Sequence, residues 1–230
     1  MSKVIINNQV MHISKLSGKL EHLYSISTSP IINPICQRRA KDELSICHYC
    51  FSIASITRFR KNLNEPLTKN YMLLSSELIP EDKIPFLNYG VMRFESHGDL
   101  GNITQARNYI RIAKRNPHCT FSIWTKNHGF LNKAIELEGK PNNLICGISS
   151  PYMNKPDHAT AQKYSWCDFL FTVYNAEFAK ENNINMNCPR KCINCMKCYT
   201  REIFKNKSGY MVINEVLKSE SKNITVEGDK

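Results

Sequence analysis

Tyr89–Glu95 (YGVMRFE), Thr120–Thr125 (TFSIWT), Leu144–Ser149 (LICGIS) and Phe169–Tyr174 (FLFTVY) are four short apolar runs in one half of a 230-residue chain. Each has the length and the β-branched or aromatic content of a strand buried on both faces. Helical patterns separate them. Ile103–Lys114 carries Ile103, Ala106, Tyr109, Ile110 and Ala113 along one face, and Phe130–Glu138, Ala159–Tyr164 and Ala176–Glu181 continue the alternation. Toward the N-terminus, Leu23–Ser27 (LYSIS) reads as a fifth strand that enters the Pro-rich loop carrying Cys36. The stretch SIASITRFRKN after Cys50 has helical character, and Asn64 is placed to cap a helix with Pro66 in its first turn. Strands alternating with helices build a mostly parallel sheet. Five strands are fewer than the eight of a closed barrel. The expectation is an α/β fold, either a partial (βα) barrel or an open parallel sheet of the doubly wound kind. In each, functional residues gather at the carboxyl ends of the strands.

The chain is 42% hydrophobic, enough for a substantial core. No apolar run approaches the roughly 20 residues needed to span a bilayer, and MSKVIINNQVMHISK lacks the parts of a secretion signal. A soluble, cytoplasmic protein with no membrane partner is expected. In that compartment ten cysteines point to metal or redox chemistry rather than to disulfides. The net charge of +11 has two readings, a surface for nucleic acid or another polyanion, or a composition that keeps the chain in solution. Part of it is local: Cys36–Lys61 carries net +4, which would offset anionic thiolates.

The cysteines fall into two groups. Cys188, Cys192, Cys195 and Cys198 form a compact C-x3-C-x2-C-x2-C run able to ligate a [4Fe–4S] cluster, with zinc as the alternative metal. Cys36, Cys47 and Cys50 form C-x10-C-x2-C. Three thiols on a cubane leave one iron open to another molecule, while a zinc knuckle completed by His48 or a lone cysteine is the competing reading. Cys119, Cys146 and Cys167 sit in or beside apolar strands, as small core residues do.

Arg93-Phe-Glu-Ser-His97-Gly-Asp99 places four polar or charged side chains around one strand end, with Gly98 permitting a sharp turn. Strand alternation puts Arg93, Glu95 and His97 on one face. Glu95, His97 and Asp99 are candidate catalytic groups; the plain alternative is that Asp99 caps the next helix and Arg93 pairs near Glu95. Lys126 and Ser149, each at or just past a strand end, are candidates for contact with an anionic cofactor or substrate.

These residues carry a resemblance. Asn33-Pro-Ile-Cys36, Ile46-Cys47-His48-Tyr49-Cys50-Phe51, Arg93–Asp99, Trp124-Thr125-Lys126 and the late cysteine run make the chain similar to the radical S-adenosylmethionine group, in particular its small phage-borne members of unassigned activity. The local matches span roughly residues 23–200. The group commonly spaces its first cysteines C-x3-C-x2-C, whereas ten residues fill the first gap here. The resemblance implies a [4Fe–4S] cluster on Cys36, Cys47 and Cys50 whose open iron chelates S-adenosylmethionine. It also implies reductive cleavage of the sulfonium to a 5′-deoxyadenosyl radical, and contact between the cofactor's amino group and Glu95 or Asp99. On this reading residues 1–179 form the βα unit with its cysteine loop. Residues 180–218 form a cysteine-rich extension with an auxiliary cluster, and 219–230 a polar tail. An external electron donor and an unidentified substrate would be partners. Two other functions compete: a zinc-stabilised nucleic-acid-binding protein using the +5 segment Lys180–Lys207, and a non-catalytic iron–sulfur redox or assembly protein.

Overall fold

The computed structural model describes residues 2–6, 8–200 and 209–217; the tail expected over 219–230 and part of the expected extension, 201–208 and 218, lie outside them. Eight strands form one open sheet in chain order. β1 (Ser2–Ile6), β2 (Gln9–Lys15) and β3 (Tyr24–Ile26) pair antiparallel. From β3 through β4 (Val91–Phe94), β5 (Thr120–Thr125), β6 (Leu144–Ser149), β7 (Phe169–Tyr174) and β8 (Met211–Val216) every pairing is parallel. The order never doubles back, so there is no switch point of the doubly wound kind. Parallel neighbours need long crossovers, and these supply α1 (Pro34–Lys41), α2 (Phe51–Ala54) and α3 (Asn64–Ser76) before β4. After it come α4 (Ile103–Arg115), α5 (His128–Glu138), α6 (His158–Lys163), α7 (Ala176–Glu181) and α8 (Cys192–Cys195).

Alternation sorts the strand side chains onto two unlike faces. Met92, Phe94, Phe121, Ile123, Cys146, Ile148 and Leu170 pack beneath Leu74, Ala106, Tyr109, Ile110, Leu131 and Ala134 of the helices. Cys119 and Cys167 belong to the same core, as read from the sequence. The stacked rings of Phe94, Tyr109 and Phe121 lie at its centre. The opposite, inner face carries Trp124, Ile145, Phe169, Phe171, Met211 and Ile213, covered by Cys192, Cys198 and Tyr199.

Three strands exceed the sequence count. β1 and β2 form an edge hairpin whose apolar stretches, Val4-Ile5-Ile6 and Val10-Met11, are only two or three residues long, and β8 is interrupted by Asn214 and Glu215. Asn64 does not cap α3; Leu63 is the N-cap, and the Asn64 side chain accepts from Ser29 Oγ at 3.1 Å. The helical reading after Cys50 holds: α2 runs directly into a π turn over Ser55–Phe59, and a 3-10 turn follows at Lys61–Leu63.

Buried asparagines hold the connections. Asn70 joins α3 to His12 and Ser27, Asn108 binds Leu74, Glu77 and Ile79, and Asn116 binds Pro85, Leu87 and Ile112. Such amides satisfy backbone groups that turns leave without a ladder partner.

Gly147 tests the packing of the inner face. A Cβ there would lie 2.0 Å from Cε2 and 2.1 Å from Cζ of Phe169, an overlap that forces an aromatic ring out of a filled core. Gly147→Ala is expected to lower the free energy of unfolding by about 1–3 kcal/mol, measured by urea titration.

Candidate metal and cofactor site

The parallel strands bring their carboxyl ends together, and hydroxyl, carboxyl and amine side chains collect there. Glu95 follows β4 with φ 56°, in the left-handed region that a glutamate rarely adopts. This turn breaks the alternation expected from sequence. Arg93 lies on the inner face, its guanidinium 3.9 Å from the centre of the Trp124 ring, while the Glu95 carboxyl is directed toward α4. There it accepts from Tyr109 Oη at 2.5 Å, Gln105 Nε2 at 2.6 Å, Thr28 Oγ1 at 2.9 Å and the Thr28 amide at 3.1 Å. Burial pushes its pKa up to about 8, with the Tyr109 and Thr28 hydrogen bonds pulling the other way. Gly98, at φ 79°, lets the chain pass close by, since a Cβ there would fall 2.5 Å from the Thr28 carbonyl oxygen.

Asp99 does not cap α4; Asn102 does, accepting from the Gln105 amide. The Asp99 carboxylate instead takes Thr125 Oγ1 at 2.5 Å, the Lys126 amide at 3.0 Å and its neighbour's amide on Leu100 at 2.8 Å, with Arg39 at 3.6 Å. Asp99 therefore ties β4 to β5 and to α1. The Asp99 carbonyl accepts from Asn33 Nδ2, and the Asn33 side-chain oxygen caps α1 at the amides of Ile35 and Cys36. Cys36 is thus on a helix rather than in an open loop. Ser45 and Ile46 are stitched to the end of β6 through the Pro151 carbonyl, placing the short helix Ile46–Tyr49 and Cys50 beside it. Lys126 Nζ donates to Ser149 Oγ at 3.0 Å.

Cys36, Cys47 and Cys50 are partly buried and outside any disulfide. Burial raises the Cys36 thiol well above its ordinary value, and the charges of Asp99, Cys50, Cys47 and Glu95 raise it further. Burial and then Cys47 raise Cys50, with Lys126 opposing. The three thiols therefore lie within electrostatic reach of one another and of Glu95, Asp99 or Lys126. His48 directs Nδ1 at the Ala40 carbonyl, 3.2 Å away.

The late cysteines lie against the inner face. Ser122 Oγ donates to the Cys198 carbonyl at 2.7 Å and the Cys188 amide to that of Asn214 at 3.1 Å. Arg190 and Met196 both have positive φ, and the run folds around a small cleft of about 20 Å³ lined by all four cysteines. Burial raises the Cys198 thiol, Arg93 pulls it down, and Cys192, Cys188 and Cys195 raise it. Among the described residues, no group of three or more His, Cys, Asp or Glu side chains stands ready to hold a metal ion; any metal would have to draw its thiols together on binding.

Sequence reasoning missed Thr28, Gln105, Tyr109, Asn33, Arg39 and Thr125. The hydroxyl run Ser25-Ile-Ser-Thr-Ser29 at the end of LYSIS was the available signal for Thr28. Gln105 and Tyr109 looked like ordinary helix positions. No family model, curated protein or solved structure matches the chain.

The Glu95 carboxyl makes stability depend on pH. Its proton is held more tightly in the folded state, so the contribution is complete below about 4.5 and is lost as pH rises toward about 8. Each unit of such a shift is worth about 1.4 kcal/mol. Unfolding free energy measured across this range should fall, and Glu95→Gln should flatten the fall even where it lowers stability overall.

Proposed function

We propose that the chain is an iron–sulfur enzyme of the radical S-adenosylmethionine type. The observation that supports the reading is that Asn33 ties α1, the helix of Cys36, to Asp99, while the Pro151 carbonyl holds the short helix of Cys47, followed by Cys50, beside the end of β6. The donor set fits the group. Three thiols outside any disulfide would supply cluster ligation and leave one iron open, and six parallel strands in sequence order are what a partial (βα) barrel needs. When bound, the cluster and S-adenosylmethionine would supply one-electron cleavage of a carbon–sulfur bond, chemistry that no side chain provides.

The chain's own residues hold and enclose. Asn33 and Arg39 fix α1, and with it Cys36, against the end of β4. Lys126 and Ser149 would meet the carboxylate of the cofactor. Asp99, on the same rim, would meet its amino group. Glu95, already accepting from four donors, holds the geometry of the rim. Cys188, Cys192, Cys195 and Cys198 would hold an auxiliary cluster against the inner face, and reduction would come from an external electron donor.

Anaerobically reconstituted protein is expected to bind about four irons and four sulfides per occupied site and to change its visible or magnetic spectrum on adding S-adenosylmethionine. Cys36→Ser should abolish that response and keep the iron of the late cysteines. Stoichiometric zinc without iron would overturn the reading.

A further inference from the structure

Three of the six buried polar side-chain atoms that lack a hydrogen-bond partner among the described residues belong to neighbouring groups: Arg93 Nε, His97 Nδ1 and Tyr199 Oη. Tyr199 lies beside Arg93, close enough for the guanidinium to donate toward its oxygen while its own O–H proton finds no acceptor, and His97 feels the charges of Arg60 and Arg93. The three residues are 8%, 7% and 4% exposed. Among the described residues, no carboxylate forms an ion pair with Arg93; Glu215 is taken by Lys19 and Arg190, Asp99 by Arg39, and Glu95 faces α4. A buried guanidinium with no counter-charge is costly, and orphaned polar atoms in a native interior call for an ion, a water or a ligand.

The surroundings admit one. On the helix side, Met92, Phe94, Phe121, Ile123, Cys146 and Ile148 are sealed at 0% exposure. On the inner face, Trp124 and Tyr199 line the cleft beside the late cysteines, which opens to solvent. Burial and the two arginines lower His97 to about 4, leaving a neutral ring beside cations, a setting that favours a negative guest. The planar guanidinium, fixed on Trp124, offers the fork geometry that matches carboxylate and phosphate.

We propose that Arg93, His97 and Tyr199 form a binding site for an oxyanion, the carboxylate or phosphate group of the substrate, on the inner face of the sheet. This rests on the reading above for the reaction but not for the binding. Arg93 supplies charge and direction, Tyr199 a hydroxyl donor, and His97 a ring nitrogen facing the guest.

The test is calorimetric titration of the anaerobically purified full-length protein with inorganic phosphate and with acetate. One saturable site per chain is expected for at least one anion, weakened roughly tenfold or more in Arg93→Met. It should be unchanged in Arg111→Ala, which alters the basic groove of α4 instead. Unsaturable binding, equal binding in Arg93→Met, or an equal loss in Arg111→Ala overturns the proposal. If circular dichroism shows Arg93→Met to be unfolded, Tyr199→Phe decides: a loss of about threefold or more upholds the site, and none overturns it. Iron and sulfide content of the same sample reads the cluster separately, so either proposal can fail alone.

Discussion

The buried carboxyl of Glu95 is the constraint on which the strand-end architecture depends. It lies at the one residue where β4 leaves the sheet through a left-handed turn, and it draws donors from the end of β3 and from two turns of α4. Such strain persists only where surrounding structure over-determines it. With Glu95 turned toward the helices, Gly98 can approach Thr28, and Asp99 reaches Thr125, the Lys126 amide and Arg39. Asn33 then closes the path from β4 to the helix bearing Cys36. Cysteine placement thus follows from a polar network within the protein.

The two faces of the sheet divide the work. Helices close one face with aromatic and aliphatic side chains at full burial, which gives the strands a rigid base. The inner face holds serines, an arginine, a tryptophan and the late cysteine run. A polar interior is expensive unless it is satisfied or used. Ser25, Ser27 and Ser122 are satisfied by hydrogen bonds; Arg93 Nε, His97 Nδ1 and Tyr199 Oη find no partner among the described residues. The difference is what the proposed oxyanion site rests on.

Much of this was legible in the sequence, for reasons that differ by element. β5, β6 and β7 show themselves because strands buried on both faces must be apolar throughout. β1 and β2 escape because the apolar stretches of this edge hairpin, Val4-Ile5-Ile6 and Val10-Met11, are short and lie among Lys, Asn, Gln and His. The thiols were legible as groups, since cysteines close in sequence are close in space. The partners of Glu95 were not, because a hydrogen bond between residues 28 and 95 leaves no local period. The asparagines read as composition alone, yet Asn70, Asn108, Asn116 and Asn143 each bridge two or three backbone groups in the loops.

Charge tells a similar story about the competing functions. A net charge of +11 suggests nucleic acid when it is spread over a free surface. Here, part of it has local duties. Arg39 binds Asp99, Lys19 and Arg190 flank Glu215, and Arg107 pairs with Glu138. Lys114 and Arg115 occupy the last turn of α4, where cations complement the helix dipole. Of the cations named, Arg93 alone is buried without an acid to answer it, and it stands beside the late thiols rather than in the outward groove. A polyanion too large to enter the sheet would leave that charge unanswered. A small oxyanion would not, and for that reason the proposed site is assigned to a substrate of molecular rather than polymeric size.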